Sequence, residues 1–376
     1  MARREAARDR RRHPRGAPQE HDQGHHARSG EISRLSARKR QRSRSDRTQL
    51  EKPQAARAAT AAQAARSERN ASGAQTNRTL RTETANGVRH IVLARAAEYN
   101  TITPRLRDEL ARAIDDADAA RDARVILLRA EGPAFCAGYG LDWSTRAQAR
   151  EKPGPSIESL GRAPWQPANA ERVARTKQWD SVADLRMMGE YVAAYMKLWY
   201  AKKPTIAAVQ GWCIGGGTDL VLCADLIVAA DDARFGYPPS RVWGTPTTAM
   251  WVYRMGLEQA KRYMLTGDEI PAKRAVEIGM ILETVPEKRL LAHANALAER
   301  MAMVPTSQLV MLKLLCNQTA EHMGLASSRL LGTLFDGIAR HTQEGLDFVA
   351  RAQSVGFRSA VRERDDPFGD YGSRKR

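Results

Sequence analysis

Two short glycine-bearing segments hold the residues whose types and spacing could do chemistry. The first is Ala134-Phe135-Cys136-Ala137-Gly138-Tyr139-Gly140-Leu141. The second is Gly211-Trp212-Cys213-Ile214-Gly215-Gly216-Gly217-Thr218-Asp219-Leu220. Glycines let backbone approach a ligand closely. N–H groups at a helix start lack intrahelical partners and point outward, ready for an anion. If the two loops face each other, two backbone N–H groups can share one oxygen on which charge develops, and two fixed dipoles stabilise it. Asp219, two positions beyond the glycine run, is the nearest carboxyl that could move a proton. It could equally be a first-turn acid favoured by the helix dipole. Neither loop is a nucleotide P-loop, because no Gly-Lys-Ser/Thr follows. Neither is a nucleophile elbow, because no serine sits in a G-x-S-x-G setting.

The elements that must position these loops alternate between strand and helix. Asn86-Gly87, flanked by Val88, Ile91, Val92 and Leu93, predicts a hairpin. Thr103-Pro104 predicts an N-cap and first helical turn, followed by Leu106, Leu110, Ala113, Ile114 and Ala117 at helical spacing. Val125–Leu128 predicts a buried strand leading into the first loop. Residues 184–200 predict an amphipathic helix. Thr205–Gln210 predicts a buried strand leading into the second loop, a helix follows from Thr218 to about Cys223, and Leu226–Ala230 predicts a third strand. This alternation is that of an α/β core.

Between Leu141 and about Val182 the pattern breaks, with Pro153, Pro155, Pro164 and Pro167 among scattered apolar residues. A long loop is expected there. Beyond Pro271 the chain reads as almost all helix. Leu309, Met311, Leu312, Leu314 and Leu315 mark one strongly apolar helix, and Leu330, Leu331, Leu334 and Phe335 another. Such faces often meet a neighbouring subunit. Met188, Tyr191, Val192, Tyr195 and Trp199 share one helical face, read as core or subunit contact rather than ligand pocket. Trp243 and Trp251 read as pocket lining or packing alike.

The net charge of +17 over 376 residues resembles a nucleic-acid footprint until it is located. The first 80 residues carry 20 Lys and Arg against 8 Asp and Glu, a net +12; the remaining 40 and 35 leave +5 for the rest. Residues 1–78 have almost no Leu, Ile, Val or aromatic residues and are expected to be disordered. A basic arm for RNA would use such a segment, but it offers no aromatic residue to stack on bases, and nucleic acid is not the expected partner. Cys136, Cys213, Cys223 and Cys316 form no CxxC pair and no Cys/His cluster, so neither a metal site nor a structural disulfide is expected, and a cytoplasmic setting is. No apolar run is long enough to predict a membrane span.

The ordered motifs resemble the crotonase (enoyl-CoA hydratase/isomerase) superfamily. The matching parts are Glu98–Ile102, Phe135-Cys136-Ala137-Gly138, Lys203–Gly211, Ile214-Gly215-Gly216-Gly217, Cys223-Ala224-Asp225-Leu226, Ala233-Arg234-Phe235-Gly236, Leu265-Thr266-Gly267 and Ala275–Gly279. The resemblance covers roughly residues 85–320. It implies a spiral of ββα repeats with a C-terminal helical region that assembles trimers, often stacked as hexamers. The expected division is a tail at 1–78, a core at 79–270 carrying the 141–182 loop, and a helical oligomerisation segment at 271–376. It implies an acyl- or enoyl-CoA substrate with coenzyme A part of it and no separate cofactor. It assigns the oxyanion donors to the N–H groups of Tyr139 and Gly216. It places Ala137, Gly138, Tyr139, Gly140, Leu141, Gly215, Gly216 and Tyr237 against the substrate. Asp225 is expected to support the fold.

The sequence departs from the family where acids are needed. Family hydratases place one Glu two positions beyond the glycine run and a second in an FGxPE-type segment, and the two activate and deliver water. Here the first is the shorter Asp219. The second falls in Phe235-Gly236-Tyr237-Pro238-Pro239-Ser240, so Pro239 stands where that Glu would be. Either Asp219 works alone, or another group enters: Tyr237, a carboxylate of the 141–182 loop such as Glu158, or a bound water. His90, His293, His322 and His341 are not assigned. Hydration of a 2-enoyl-CoA is the leading expectation. Isomerisation, C–C cleavage and thioester hydrolysis on the same scaffold are the alternatives, and RNA binding through the arm is the alternative of another class.

Overall fold

A computed structural model of the chain describes residues 79–139 and 181–371. The expectations for residues 1–78 and for most of the 141–182 loop, with Gly140, Leu141 and Glu158, lie outside the described residues.

The hairpin forms where Asn86-Gly87 predicts it. Strand β1 (Leu80–Ala85) pairs antiparallel with β2 (Val88–Leu93), and both turn residues hold positive φ, 51° and 76°. Helix α1 (Pro104–Ala119) starts as predicted, with Thr103 Oγ1 accepting from the Leu106 N–H at 3.2 Å. The chain then runs three times through one motif: a strand in a large sheet, a short turn, and a strand in a small sheet. The three passes are β3 (Val125–Ala130) to β4 (Ala134–Cys136), β5 (Thr205–Val209) to β6 (Trp212–Ile214), and β7 (Leu226–Ala230) to β8 (Arg234–Gly236). Helix α2 (Ser181–Tyr200) precedes the second pass and α3 (Gly216–Leu222) the third. Helix α2 begins earlier than the sequence pattern shows.

The large sheet has the order β1-β2-β3-β5-β7-β10, with β10 at Glu283–Val285. Beyond the hairpin its pairings are parallel. In the small sheet β4, β6 and β8 are parallel, and β9 (Ile270–Pro271) pairs antiparallel with β8. Parallel strands covered on both faces read as continuous apolar runs, and Val125–Leu128 shows why. Ile126 and Leu128 pack with α1 and α2, while the alternate Val125 and Leu127 pack under α6 (Glu287–Ala302) against Leu290, Ala294 and Ala298.

After the small helices α4 (Met250–Met264) and α5 (Ala272–Glu277), the chain from α6 onward is helical as expected. It runs through α7 (Thr306–His322), α8 (Leu325–Ala339), α9 (Gln343–Val355) and α10 (Phe357–Asp365). Helix α8 packs on α2 and on the 245–247 segment, where Thr245 Oγ1 donates to the Gly332 carbonyl at 2.8 Å. The final turn is clamped by Arg241, whose buried guanidinium donates to Asp365 at 3.0 Å and to both oxygens of Asp370 at 2.9 and 2.8 Å. The last helices therefore pack on the Trp243 segment, and the final turn sets Tyr371 beside Trp212 of the small sheet, which the sequence did not reveal.

Candidate active site

Because β4, β6 and β8 run parallel as neighbours, the loops leaving their C-terminal ends share one edge. In an open parallel arrangement, ligands bind at that edge. The loop after β4 is 137–139, that after β6 centres on Gly215, and that after β8 begins at Tyr237.

The first loop is pinned by the segment before α1. The buried Asn100 donates from Nδ2 to the Glu131 and Ala134 carbonyls at 2.8 and 2.9 Å. The Ala137 N–H donates to the Tyr99 carbonyl at 3.0 Å, and the Ile102 N–H to that of Gly138 at 2.8 Å. Gly138 holds φ 84°, and a Cβ placed there would stand 2.8 Å from the Ile214 carbonyl oxygen and 3.7 Å from the Gly216 nitrogen. Only glycine permits the two loops to abut this closely. In the second loop the Gly215 N–H donates to the Gly236 carbonyl at 2.9 Å, and Gly216 opens α3. Among the described residues neither the Tyr139 nor the Gly216 N–H meets an acceptor.

Both residues line a cavity of about 460 Å³. Ala137, Gly138, Gly215 and Tyr237 line it as well, so the described residues placed against the substrate by the resemblance all border one cavity. Pro239, Trp243 and Gly244 continue the wall beyond β8. Met187, Met188 and Tyr191 of α2 line it too; Met188 and Tyr191 also belong to the core with Val192, Tyr195 and Trp199, as their shared face predicts. Asp336 and Arg340 of α8 and the C-terminal Phe357, Val361, Arg364, Asp365 and Tyr371 line it too. None of the four histidines considered from sequence lines it.

Asp219, the candidate acid from sequence, stands behind the cavity rather than on its lining. Asp219 is fully buried and is not part of the cavity wall. Its Oδ2 accepts from the Thr247 N–H at 2.9 Å and the Thr247 hydroxyl at 3.0 Å, and its Oδ1 accepts from Trp251 Nε1 at 3.3 Å. The short side chain turns toward α4 and braces the 245–247 segment. Burial pushes its carboxyl up to about 7, against the pull of the Thr247 and Trp251 donors. Trp251 is accordingly a packing residue here, while Trp243 lines the cavity. Asp225 accepts from the Thr205 N–H at 2.7 Å and pairs with Lys313 at 2.9 Å, a brace between β5 and α7.

Two tyrosines stand between the loops and the interior. The Tyr195 hydroxyl donates to that of Tyr139 at 3.2 Å, and the Tyr237 hydroxyl donates to the Thr245 carbonyl at 2.8 Å. Burial holds both cavity-lining phenols well above the ordinary tyrosine range, and the Asp219 and Asp336 charges add to the rise. Neither is set up as a base.

The acid that sequence reasoning missed is Asp336. Its side chain is buried at the cavity, and its Oδ2 has no hydrogen-bond donor although Arg340 Nη1 stands 3.2 Å away. The Arg340 guanidinium is turned instead toward Asp184 of α2, donating from Nη2 to both carboxylate oxygens at 2.7 and 2.6 Å. Burial pushes the Asp336 carboxyl up to about 6; Arg340 and the Thr245 backbone N–H oppose the rise and Asp184 adds to it. Among the described residues no three His, Cys, Asp or Glu are grouped to hold a metal.

Comparison with known proteins agrees with this arrangement. The family model described as enoyl-CoA hydratase/isomerase matches residues 175–354. A hydroxycinnamoyl-CoA hydratase-lyase of Pseudomonas fluorescens is 30% identical over 218 residues, 57% of this chain and 68% of that protein. A crystal structure of an enoyl-CoA hydratase from Mycobacterium smegmatis superposes with a TM-score of 0.68 at 39% identity, covering 79% of this chain and 96% of that one. An enoyl-CoA hydratase/isomerase from Xanthobacter autotrophicus Py2 superposes with a TM-score of 0.67 at 25% identity, covering 78% of this chain and all of the other, 100%. With loops, cavity and relatives in accord, the chain belongs to the enoyl-CoA hydratase/isomerase, or crotonase, family.

Proposed function

We propose that the protein hydrates a 2-enoyl-CoA to the 3-hydroxyacyl-CoA. The observation that carries this is that Tyr139 and Gly216 line one cavity and that, among the described residues, the N–H of each is unpartnered. The thioester oxygen accepts from both. As water adds to Cβ, the π electrons move through Cα onto that oxygen, and the two dipoles stabilise the enolate without reorganising. A proton then reaches Cα and the thioester carbonyl re-forms. Loss of one such donor costs about 3–4 kcal/mol of barrier. Ala137, Gly138, Gly215 and Tyr237 flank the thioester and the adjoining CoA arm. The four unpaired cysteines support a cytoplasmic setting.

A second reading keeps the same enolate but not the water: isomerisation, C–C cleavage or thioester hydrolysis. Pro239 favours it, since the cavity wall carries no acid at that position. A panel of enoyl-CoA thioesters followed by mass spectrometry separates the two. A mass gain of one water supports hydration; altered absorbance at constant mass supports isomerisation.

The expected assembly is a homotrimer or a hexamer built from trimers. Its support is the exposed apolar surface of α7 and α8, where Met311, Leu314, Leu315, Leu330 and Leu331 face outward.

A further inference from the structure

We propose that Asp336 is the proton-transferring carboxylate of this cavity, and that Asp336 Oδ2 and Arg340 Nε together hold the water that adds to the substrate. The inference rests on the oxyanion reading above and supplies the acid–base group that Pro239 and the inward-turned Asp219 leave unassigned.

Three observations carry it. First, among the described residues Asp336 Oδ2, which stands 3.2 Å from Arg340 Nη1, and Arg340 Nε are both buried without a hydrogen-bond partner, one an acceptor and the other a donor, and both residues line the cavity. Buried polar atoms are almost always satisfied, so an orphaned pair needs an explanation. A water that accepts from Nε–H and donates to Oδ2 satisfies both. Second, the other acid among the described lining residues is occupied. Asp365 accepts from Arg364 at 2.8 and 2.7 Å and from Arg241 at 3.0 Å, which leaves it a structural anion. Third, Asp336 is held rigidly. Helix α8 is tied to the wall by Thr245 and Thr333, whose hydroxyls donate to the Gly332 and Thr247 carbonyls at 2.8 and 3.3 Å, and Arg340 is locked by Asp184.

The step balances with one carboxyl. Asp336 takes a proton from the bound water as its oxygen bonds to Cβ. The Cα=Cβ electron pair moves onto the thioester oxygen at Tyr139 and Gly216. The protonated Asp336 then gives the same proton to Cα, and the enolate electrons form the new C–H bond. The carboxylate is regenerated, and enoyl-CoA and water become 3-hydroxyacyl-CoA.

Charged and titratable groups around Asp336 come from each packed element: Arg340 and His341 at the end of α8, Asp184 of α2, Asp219 of α3, and the phenols of Tyr139 and Tyr237. Burial raises the carboxyl into the range where one group can both accept and return a proton near neutral pH.

The test uses the purified full chain with crotonyl-CoA and a longer 2-enoyl-CoA, assayed from pH 5 to 9. The wild type is expected to lose kcat on the acid side as Asp336 protonates. Asp336→Asn is expected to lower kcat by about 10²-fold or more, to leave calorimetric binding of the thioester in place, and to lose that acid limb. Asp336→Glu is expected to recover part of kcat and to move the limb. A wild-type kcat or an unaltered profile in Asp336→Asn overturns the inference while the oxyanion reading stands. A wild type that turns over no enoyl-CoA overturns the hydration reading, and this inference with it. Should Asp336→Asn fail to fold, the Glu variant decides: a limb at the wild-type pH removes residue 336 from proton transfer.

Discussion

The ring of Tyr139 lies across Gly216. A Cβ on Gly216 would stand 2.7 Å from the Tyr139 ring edge and 2.9 Å from Ile102 Cδ1. The phenol ring packed against Gly216 thus belongs to the residue that supplies the other N–H. Gly216→Ala forces ring and loop apart and disturbs both N–H groups at once. The expected result is a fall in kcat/KM of at least about 10²-fold with the fold retained, as for loss of an oxyanion donor. Steady-state kinetics with circular dichroism check it, and an unimpaired Gly216→Ala enzyme would remove these amides from the mechanism.

Tyr139→Phe separates backbone from side chain. It deletes the hydroxyl that accepts from Tyr195 at 3.2 Å but keeps the N–H. If the amide is what acts, kcat should fall by less than about tenfold, or about 1.4 kcal/mol of barrier. A loss of several orders of magnitude would assign the phenol a chemical role that its raised pKa argues against.

Asp219 predicts a stability signature rather than a kinetic one. Its carboxyl is raised from 3.8 to about 7 by burial, so the fold prefers the protonated form. That contribution is fully present below the unfolded-state pKa near 3.8 and is lost as pH rises through about 7. Asp219→Asn cannot titrate. The Tm advantage of wild type over this variant should therefore be larger at pH 5 than at pH 8, in thermal unfolding at matched ionic strength. A gap that does not change with pH would show that the site does not titrate in the fold. Because Asp219 is off the cavity wall, its kcat should fall far less than that of Asp336→Asn.

These two aspartates also show where the sequence was legible. Local rules placed Asn86-Gly87 in its turn, Thr103 on its helix, and the two glycine loops after strands, since turn chemistry, capping and apolar runs act over a few residues. Asp219 sits next to a glycine run, and proximity in sequence made it the candidate acid. Its direction is set by Thr247 and Trp251, which no local pattern connects to it. Asp336 follows Leu330, Leu331, Leu334 and Phe335, so its helix reads as an apolar contact surface with an incidental acid. Only the return of α8 onto α2 and the 245–247 segment brings it to the cavity. The loops were readable because their role lies in the backbone; the carboxyl was not, because its role depends on tertiary packing.

The Asp184–Arg340–Asp336 cluster predicts a cost for losing its cation. The Asp184 side chain is fully buried, and both its oxygens accept from Arg340. Arg340→Met leaves two buried carboxyls without a counter-charge. Breaking a buried pair in this way destabilises by about 3–5 kcal/mol. Chemical denaturation should show that loss, greater at pH 8 than at pH 5, where Asp336 can protonate instead. Arg340 also holds the Asp336 carboxyl down, so its removal should move the acid limb of kcat to higher pH. A limb that moves to lower pH would contradict that electrostatic assignment.

The outward apolar surface predicts the assembly. Leu315 of α7 is 70% exposed and Leu331 of α8 is 49% exposed, with Met311, Leu314 and Leu330 nearby in sequence on the same two helices. Contiguous exposed apolar side chains of this kind mark an interface more often than a free surface. A Leu315→Glu, Leu331→Glu double variant places a charge on each helix where burial would leave it unpaired, at high cost to association. Sedimentation equilibrium of the wild type should give a mass of three chains or a multiple of three. The double variant should shift toward one chain while its circular dichroism is unchanged, because neither leucine packs in the core of its own chain. A wild type that sediments as one chain at micromolar concentration would remove the trimer. A variant that keeps the wild-type mass would place the contact elsewhere on the surface.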